Sequence, residues 1–170
     1  MKVARVTLSD RAASGVYRDE SGPEIERLVS AHFVEALEWQ RVLLPDDRLE
    51  LENALRRLAD VEGCLLIVTT GGTGPSPRDV TPEATRAVLE KELPGFGEIM
   101  RMQSFAKVKT AILSRATAGV RGRSLIINLP GRPSAVAECL PLLTPAIAEA
   151  LDHIAGFRPK LREMRPEPRM

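Results

Sequence analysis

Cys64-Leu65-Leu66-Ile67-Val68 is an unbroken apolar run that passes through Thr69-Thr70 directly into Gly71-Gly72-Thr73-Gly74. Leu125-Ile126-Ile127-Asn128-Leu129 repeats the pattern and ends at Pro130-Gly131. Short apolar runs closed by glycine or proline fit strands buried on both faces, and such strands belong to parallel sheets covered by helices. Lys2 to Leu8 alternates around Val3, Val6 and Leu8, and a fourth strand falls within Val34 to Leu44, ending at Pro45-Asp46-Asp47. Helical stripes lie between them: Ile25, Leu28 and Val29 after Ser21-Gly22-Pro23, then Leu51, Leu55 and Leu58. A third stripe, Ala84, Ala87 and Val88, follows Thr81-Pro82, with Thr81 the expected N-cap. Leu93 to Val108 reads as a further helical piece. The last stripe runs from Val136 through Cys139, Leu140, Leu143, Ile147 and Leu151 to Ile154, and Pro141 and Pro145 should kink or divide it.

Strands that alternate with helices imply right-handed crossovers and an α/β three-layer sandwich, a mostly parallel sheet with helices on both faces. Its ligand site belongs at the C-terminal strand ends. The residues just after the four apolar runs are Ser9-Asp10, Pro45-Asp46, Gly71 to Gly74 and Pro130-Gly131, and Ser9-Asp10-Arg11 reads as a polar loop.

A length of 170 residues fits one domain, expected over 1–157, followed by a basic, proline-containing tail over 158–170. That tail carries +3 and the rest of the chain −2. It should be mobile or docked on a partner subunit. With 24 Lys and Arg against 23 Asp and Glu, no broad basic field invites nucleic acid. No signal peptide opens the chain and no run approaches the ~18 apolar residues of a membrane span, so a soluble, cytoplasmic protein is expected. Two cysteines and two histidines at scattered positions rule against a structural zinc site. Trp39 reads as packing and His153 as a surface or interface residue.

Thr69 to Gly74 offers backbone N–H groups clear of bulky side chains, with threonine hydroxyls beside them, which suits an anion cradle. A plain strand-to-helix turn accounts for the glycines equally well. Neither standard nucleotide fingerprint is present: no Lys-Ser/Thr pair follows at Walker A spacing, and Pro77 stands where the dinucleotide motif needs its third glycine. Asp79 lies in the same connection and Asp46 follows another strand end. Two carboxylates beside a phosphate cradle can hold Mg²⁺, which prefers oxygen ligands shared with substrate phosphates. Asp46 also suits a helix N-cap or first-turn acid, and Asp79 a turn acid in Arg78-Asp79-Val80. Ser114-Arg115 fits either an anion contact or an ordinary loop. No GxSxG, no HExxH and no close Cys/His pair is present, so hydrolase readings gain nothing. Phosphoryl or nucleotidyl transfer is different. An attacking phosphate is already largely anionic near neutral pH, so positioning and charge neutralisation can carry the reaction without histidine.

The run Thr69 to Thr85, TTGGTGPSPRDVTPEAT, resembles the signature of the MogA/MoaB molybdenum-cofactor biosynthesis family, which includes the gephyrin-like adenylyltransferase domains. Ser9-Asp10-Arg11, Ser14 to Tyr17, Pro45-Asp46, Pro94 to Glu98, Leu113-Ser114-Arg115 and Ile127 to Gly131 agree with it, so the resemblance spans about residues 3 to 157. It implies a molybdopterin adenylyltransferase that transfers AMP from Mg-ATP to the terminal phosphate of molybdopterin and releases pyrophosphate. Asp46 and Asp79 match the family's functional aspartates and would place Mg²⁺. Ser9, Asp10, Gly71, Gly72, Thr73, Gly74, Ser114, Arg115, Asn128, Pro130 and Gly131 would line the pterin and nucleotide pocket. A homotrimer and a downstream molybdenum-insertion partner are implied as well. The tail from Phe157 resembles the bacterial MogA branch, whereas the direct run from Pro141 to Ile154 lacks an extra segment of some bacterial members. The alternatives are a MoaB-like pterin-binding or scaffold protein with little catalysis, and a related domain such as those of the molybdenum-insertion or CinA-like proteins; the long Arg78 to Thr85 continuation argues against the CinA-like one.

Overall fold

In the computed structural model, which describes residues 1–162, the apolar runs become the middle of a six-stranded sheet. The chain order is β1 (Lys2–Leu8), α1 (Asp10–Ala13), α2 (Ser21–His32), β2 (Glu38–Leu44) and α3 (Arg48–Arg56), the last continued by a π-helical turn over Arg57–Val61. Then come β3 (Leu66–Thr70), α4 (Thr81–Val88), β4 (Lys91–Glu92), α5 (Gly95–Phe105) and a 3-10 turn at Lys109–Leu113. The chain closes with β5 (Ala118–Arg121), β6 (Ser124–Leu129) and α6 (Pro133–Ala155). The sheet order is β2-β1-β3-β6-β5-β4. The first four strands are parallel, β5 runs antiparallel to β6, and β4 antiparallel to β5.

The period of two along each strand sorts side chains between two cores. Val3, Leu66, Val68, Leu125, Ile127 and Leu129 face α2, α5 and α6, while Ala4, Val6, Leu8, Ile67 and Ile126 face α3 and α4. Burial on both faces is what the continuous apolar runs require. Every residue of β3 and β6 is buried.

Several expectations change in detail. Ser9-Asp10-Arg11 is no open loop: the Ser9 hydroxyl caps α1 by accepting from the Ala12 N–H at 3.2 Å. Thr81 is the first helical residue of α4 and not its N-cap, because its hydroxyl is spent on the preceding turn. Ala87 is exposed, and Thr85 takes its place in the buried stripe with Ala84 and Val88. Pro141 and Pro145 do not divide α6. Pro145 cannot donate to the Pro141 carbonyl, but the Thr144 hydroxyl does so at 2.9 Å and leaves no orphan acceptor there. α6 is long and apolar enough to cross a bilayer by length and composition, yet its apolar stripe is buried within the core shared with the sheet and α2.

The short strands β4 and β5 were not foreseen. β4 has two residues, both charged, and β5 contains Gly119, so neither carries a strand pattern. The two-residue link Gly122-Arg123, with Gly122 at φ +53°, is the hairpin signal that marks β5–β6. Tail residues 158–162 pack on their own chain: the Val34 N–H donates to the Lys160 carbonyl at 2.9 Å, and Phe33 bridges Leu161. Arg158 pairs with Glu149 and Asp152. The remainder of the expected tail, 163–170, lies outside the described residues. Trp39 packs against the core and His153 is an exposed partner of Glu149, as their positions predict.

Candidate active site

Four strand ends meet on one edge. The Ser9 N–H donates to the Leu44 carbonyl at 2.9 Å, joining the ends of β1 and β2. Thr70 Oγ1 donates to the Pro130 carbonyl at 2.7 Å, joining β3 to β6. Gly71 lies between them at φ +93°, and a Cβ there would stand 2.3 Å from the Leu8 carbonyl oxygen. On its other side, a Cβ on Gly131 would come within 3.2 Å of the Gly71 Cα. Both the backbone conformation and the close approach demand glycine at 71.

Gly71, Gly72, Thr73 and Gly74 follow without interruption, and their N–H groups have no partner among the described residues. With Gly72 also at positive φ, the turn offers a run of successive unpaired N–H groups, the raw material of an anion-binding concavity. The carbonyls of the same turn are all engaged. Thr81 Oγ1 donates to Gly71 O at 2.8 Å, the Thr81 N–H to Gly72 O at 3.0 Å, and the Arg115 N–H to Thr73 O at 2.8 Å. The Arg115 guanidinium completes the clamp: Nε donates to Gly74 O at 2.9 Å, Nη2 to Asp79 O at 2.7 Å, and Nη1 pairs with Glu83. A turn held by its carbonyls has its N–H groups fixed in direction. This is the main difference from a flexible glycine link.

The carboxylates stand on the β1–β2 side of the turn. Asp46 and Asp10 exchange two bonds: the Asp10 N–H donates to Asp46 Oδ2 at 3.0 Å and the Asp46 N–H to Asp10 Oδ1 at 2.9 Å. Asp47 takes the N-cap of α3 by accepting from the Glu50 N–H, which leaves Asp46 free of capping duty. Asp46 Oδ1 has no hydrogen-bond donor among the described residues and faces Gly72, whose Cβ would lie 3.5 Å from it. Partial burial pushes the Asp46 pKa up, reinforced by the charges of Asp10 and Asp79 against the opposing Asp10 N–H and Arg78. Asp79 Oδ2 accepts the Ser76 N–H at 2.9 Å and presses on Gly74. Asp10 is held below the usual carboxylate range, mainly by its hydrogen bonds from Arg78.

On the other side of the turn lies a cleft of about 470 Å³, bounded by the turn, α5, the 3-10 turn and the start of α6. Its wall is apolar at Met100, Val108, Leu113 and Cys139, and polar at Thr73, Ser104, Ser114 and Ser134. Arg132 caps α6 at its rim, and the N–H groups of Gly131, Arg132 and Ser134 have no partner among the described residues. A volume of this order suits a small ligand with flat apolar faces and polar edges.

Comparison with known proteins gives this geometry a family. A family model described as "Probable molybdopterin binding domain" matches residues 4–149. The chain belongs to this molybdopterin-binding family. The Helicobacter pylori J99 protein named molybdopterin adenylyltransferase is 50% identical over 151 residues, covering 89% of this chain and 86% of that one. The Escherichia coli K12 protein of the same name is 40% identical over 184 aligned positions, 94% of each chain. Among solved structures, the molybdopterin biosynthesis enzyme MoaB from Thermus thermophilus superposes with a TM-score of 0.85 at 41% identity, covering 94% of this chain and 99% of its own. The alignment with the Escherichia coli relative is longer than this whole chain, in keeping with the extra segment that this member of the molybdopterin-binding family lacks.

Within this molybdopterin-binding fold the expected residues divide into three groups. Asp10, Asp46, Asp79 and Gly71 to Gly74 converge around the turn, while Thr73, Gly74, Ser114, Pro130 and Gly131 border the cleft. Ser9 stands behind them as the α1 cap, bonded to the Tyr17 hydroxyl. Asn128 and Arg115 act from behind as well. Asn128 is fully buried, with Nδ2 donating to Thr69 and Thr85 hydroxyls and Oδ1 accepting from the Thr117 N–H, so it ties β6 to α4 beneath the site. Sequence reasoning missed Arg132, Ser104, Arg78 and Glu83. Arg132 precedes a helix-opening proline at a strand end, and that signal was available.

Proposed function

We propose that this protein is a molybdopterin adenylyltransferase of molybdenum-cofactor biosynthesis, a reading shared with its named relatives. The observation that carries it is one turn with four N–H groups unpaired among the described residues, two carboxylates on one side and a ligand-sized cleft on the other. Molybdopterin in the cleft and ATP across the turn would bring the pterin's terminal phosphate to the α-phosphorus of ATP. An oxygen of that phosphate forms the new P–O bond, the α–β bridge breaks, and pyrophosphate leaves with the electron pair. The nucleophile is a phosphate already mostly dianionic, so no general base is required. Gly71 to Gly74 would hold phosphate oxygens whose charge grows in the transition state, and Arg115 keeps the donors in place.

Asp46 and Asp79 would hold Mg²⁺. Their free oxygens are hard donors, and among the described residues no cluster of three or more acids, histidines or cysteines forms a dedicated cage. That donor set suits a cation shared with substrate phosphates. When bound, Mg²⁺ supplies charge neutralisation on the departing pyrophosphate.

A pterin-binding scaffold of the MoaB kind would need the cleft but not the acids, and Asp46 and Asp79 both face the turn. A homotrimer is part of the proposal, supported by an apolar groove of about 410 Å³ lined by Leu93, Phe96 and the exposed Ile99 and Leu142, with Met102 and Phe105 also exposed on α5. A cytoplasmic location is proposed on two buried, unpaired cysteines. The deciding assay incubates the protein with Mg-ATP and molybdopterin and follows pyrophosphate. Release above a no-enzyme control is expected; bound pterin with only background release would leave the scaffold reading.

A further inference from the structure

Arg78 stands one residue before the Asp79 carboxylate and reaches across the site to the start of α1. Its Nε donates to Asp10 Oδ2 at 3.0 Å, and its Nη2 to Asp10 Oδ1 at 2.7 Å and Oδ2 at 2.6 Å. Asp10 is in turn locked to Asp46 through the two reciprocal backbone bonds. A permanent cation therefore lies against the linked Asp10–Asp46 pair, beside the place where the proposed reaction calls for a divalent metal.

The two arginines of the site differ in freedom. Arg115 is held by Gly74, Asp79 and Glu83 and cannot leave without undoing the turn. The Arg78 guanidinium has Asp10 as its only hydrogen-bond partner among the described residues, with its side chain 65% exposed and that of Asp10 43% exposed. Exposed ion pairs are weakly held and exchange readily. A guanidinium fork also fits phosphate as well as carboxylate, so a triphosphate arriving at the neighbouring N–H nest offers Arg78 an equivalent partner of higher charge.

We propose that Arg78 is a displaceable counter-cation: in the free protein it neutralises the linked Asp10–Asp46 pair, and when metal-bound triphosphate enters it releases Asp10 and pairs with phosphate oxygens. The inference rests on the adenylyltransferase reading for the identity of the ligand. Its consequence is conditional metal entry. Arg78 opposes a bare divalent cation at the carboxylates, because like charges repel there. It favours the same cation once nucleotide is present, because the guanidinium has moved to the negative charge that came with it.

The test uses Mn²⁺ as probe, its binding to the full chain read by electron paramagnetic resonance with and without α,β-methylene-ATP. Arg78→Gln should bind Mn²⁺ alone about tenfold more tightly than wild type, and the Mn²⁺–nucleotide about tenfold more weakly. The reversal of sign is the distinguishing result. A purely structural role would weaken both, a fixed repulsion would strengthen both, and a bystander would change neither; each of these overturns the exchange. Arg78→Lys keeps the charge but loses the fork, so it should retain wild-type Mn²⁺ affinity and lose part of the nucleotide effect. The exposed position leaves folding intact, with melting of both variants within about 2 °C of wild type. Wild-type protein that binds no Mn²⁺–nucleotide at all would instead overturn the adenylyltransferase reading.

Discussion

The two sides of the glycine turn are built on different principles. On the β1–β2 side, three half-buried carboxylates, from the start of α1 and from two loops, are placed by hydrogen bonds between backbone and side chain. On the α5–α6 side, the cleft is shaped by packing: Met100 and Cys139 belong to the same buried core that holds α6 on the sheet. On the proposed reading, charge placement serves a reaction in which charge moves, and packed walls serve recognition of a flat ligand. The turn between them is the shared element, and Arg115 anchors it from below.

This contrast can be broken by variants that touch one side only. The largest effect belongs to the carboxylates. Asp79→Ala should lower kcat by about 100-fold or more while pterin affinity, read by fluorescence quenching, changes less than about threefold. Parallel loss of both would erase the division. On the other side, Arg132→Ala should raise the KM for molybdopterin by about tenfold with kcat nearly unchanged, since it removes a cation at the cleft rim and nothing at the reacting atoms. A dominant kcat effect would move Arg132 to the reaction side.

The smallest effect sharpens the comparison through pH. Burial raises the Asp46 pKa, so the folded state binds this proton more tightly than the unfolded chain does. Stability from that proton is present below the ordinary value of 3.8 and is lost as pH rises through the raised folded value, leaving the ionised, half-buried carboxylate as a cost at neutral pH. Asp46→Asn keeps an acceptor for the Asp10 N–H and removes the charge. Its melting temperature should exceed wild type by about 2 °C at pH 7, and the advantage should vanish in acid. Turnover should nevertheless fall, so a more stable variant that is also less active marks a site held at the expense of stability. Unchanged melting at both pH values would place Asp46 in water.

The parallel core of the fold was legible because burial on both faces leaves a residue pattern: Leu66 to Val68 and Leu125 to Ile127 have no polar face. The antiparallel edge was not, since Lys91-Glu92 forms a strand only because β5 is there to pair with it. Prolines misled for a related reason. The break expected at Pro145 depends on an unsatisfied carbonyl, and Thr144 satisfies it. At the site, Asp46 and Asp79 were found from their neighbours in sequence, but Asp46 was equally eligible as a helix cap until Asp47 proved to hold that place. Asn128 and Arg115 carry the family motif on their faces, yet their hydrogen bonds turn into the protein.

By itself the sequence determined the layers, the strand ends and the glycine turn, because apolar periodicity and the conformational demands of glycine and proline act over a few residues. Only the tertiary structure decided which side chains face a ligand and which hold the turn from behind. Hydrogen-bond partners such as Asp10 with Asp46, or Arg115 with Gly74 and Asp79, lie tens of residues apart. Whether a polar group is spent on the protein or left free for a substrate is a property of those distant pairs.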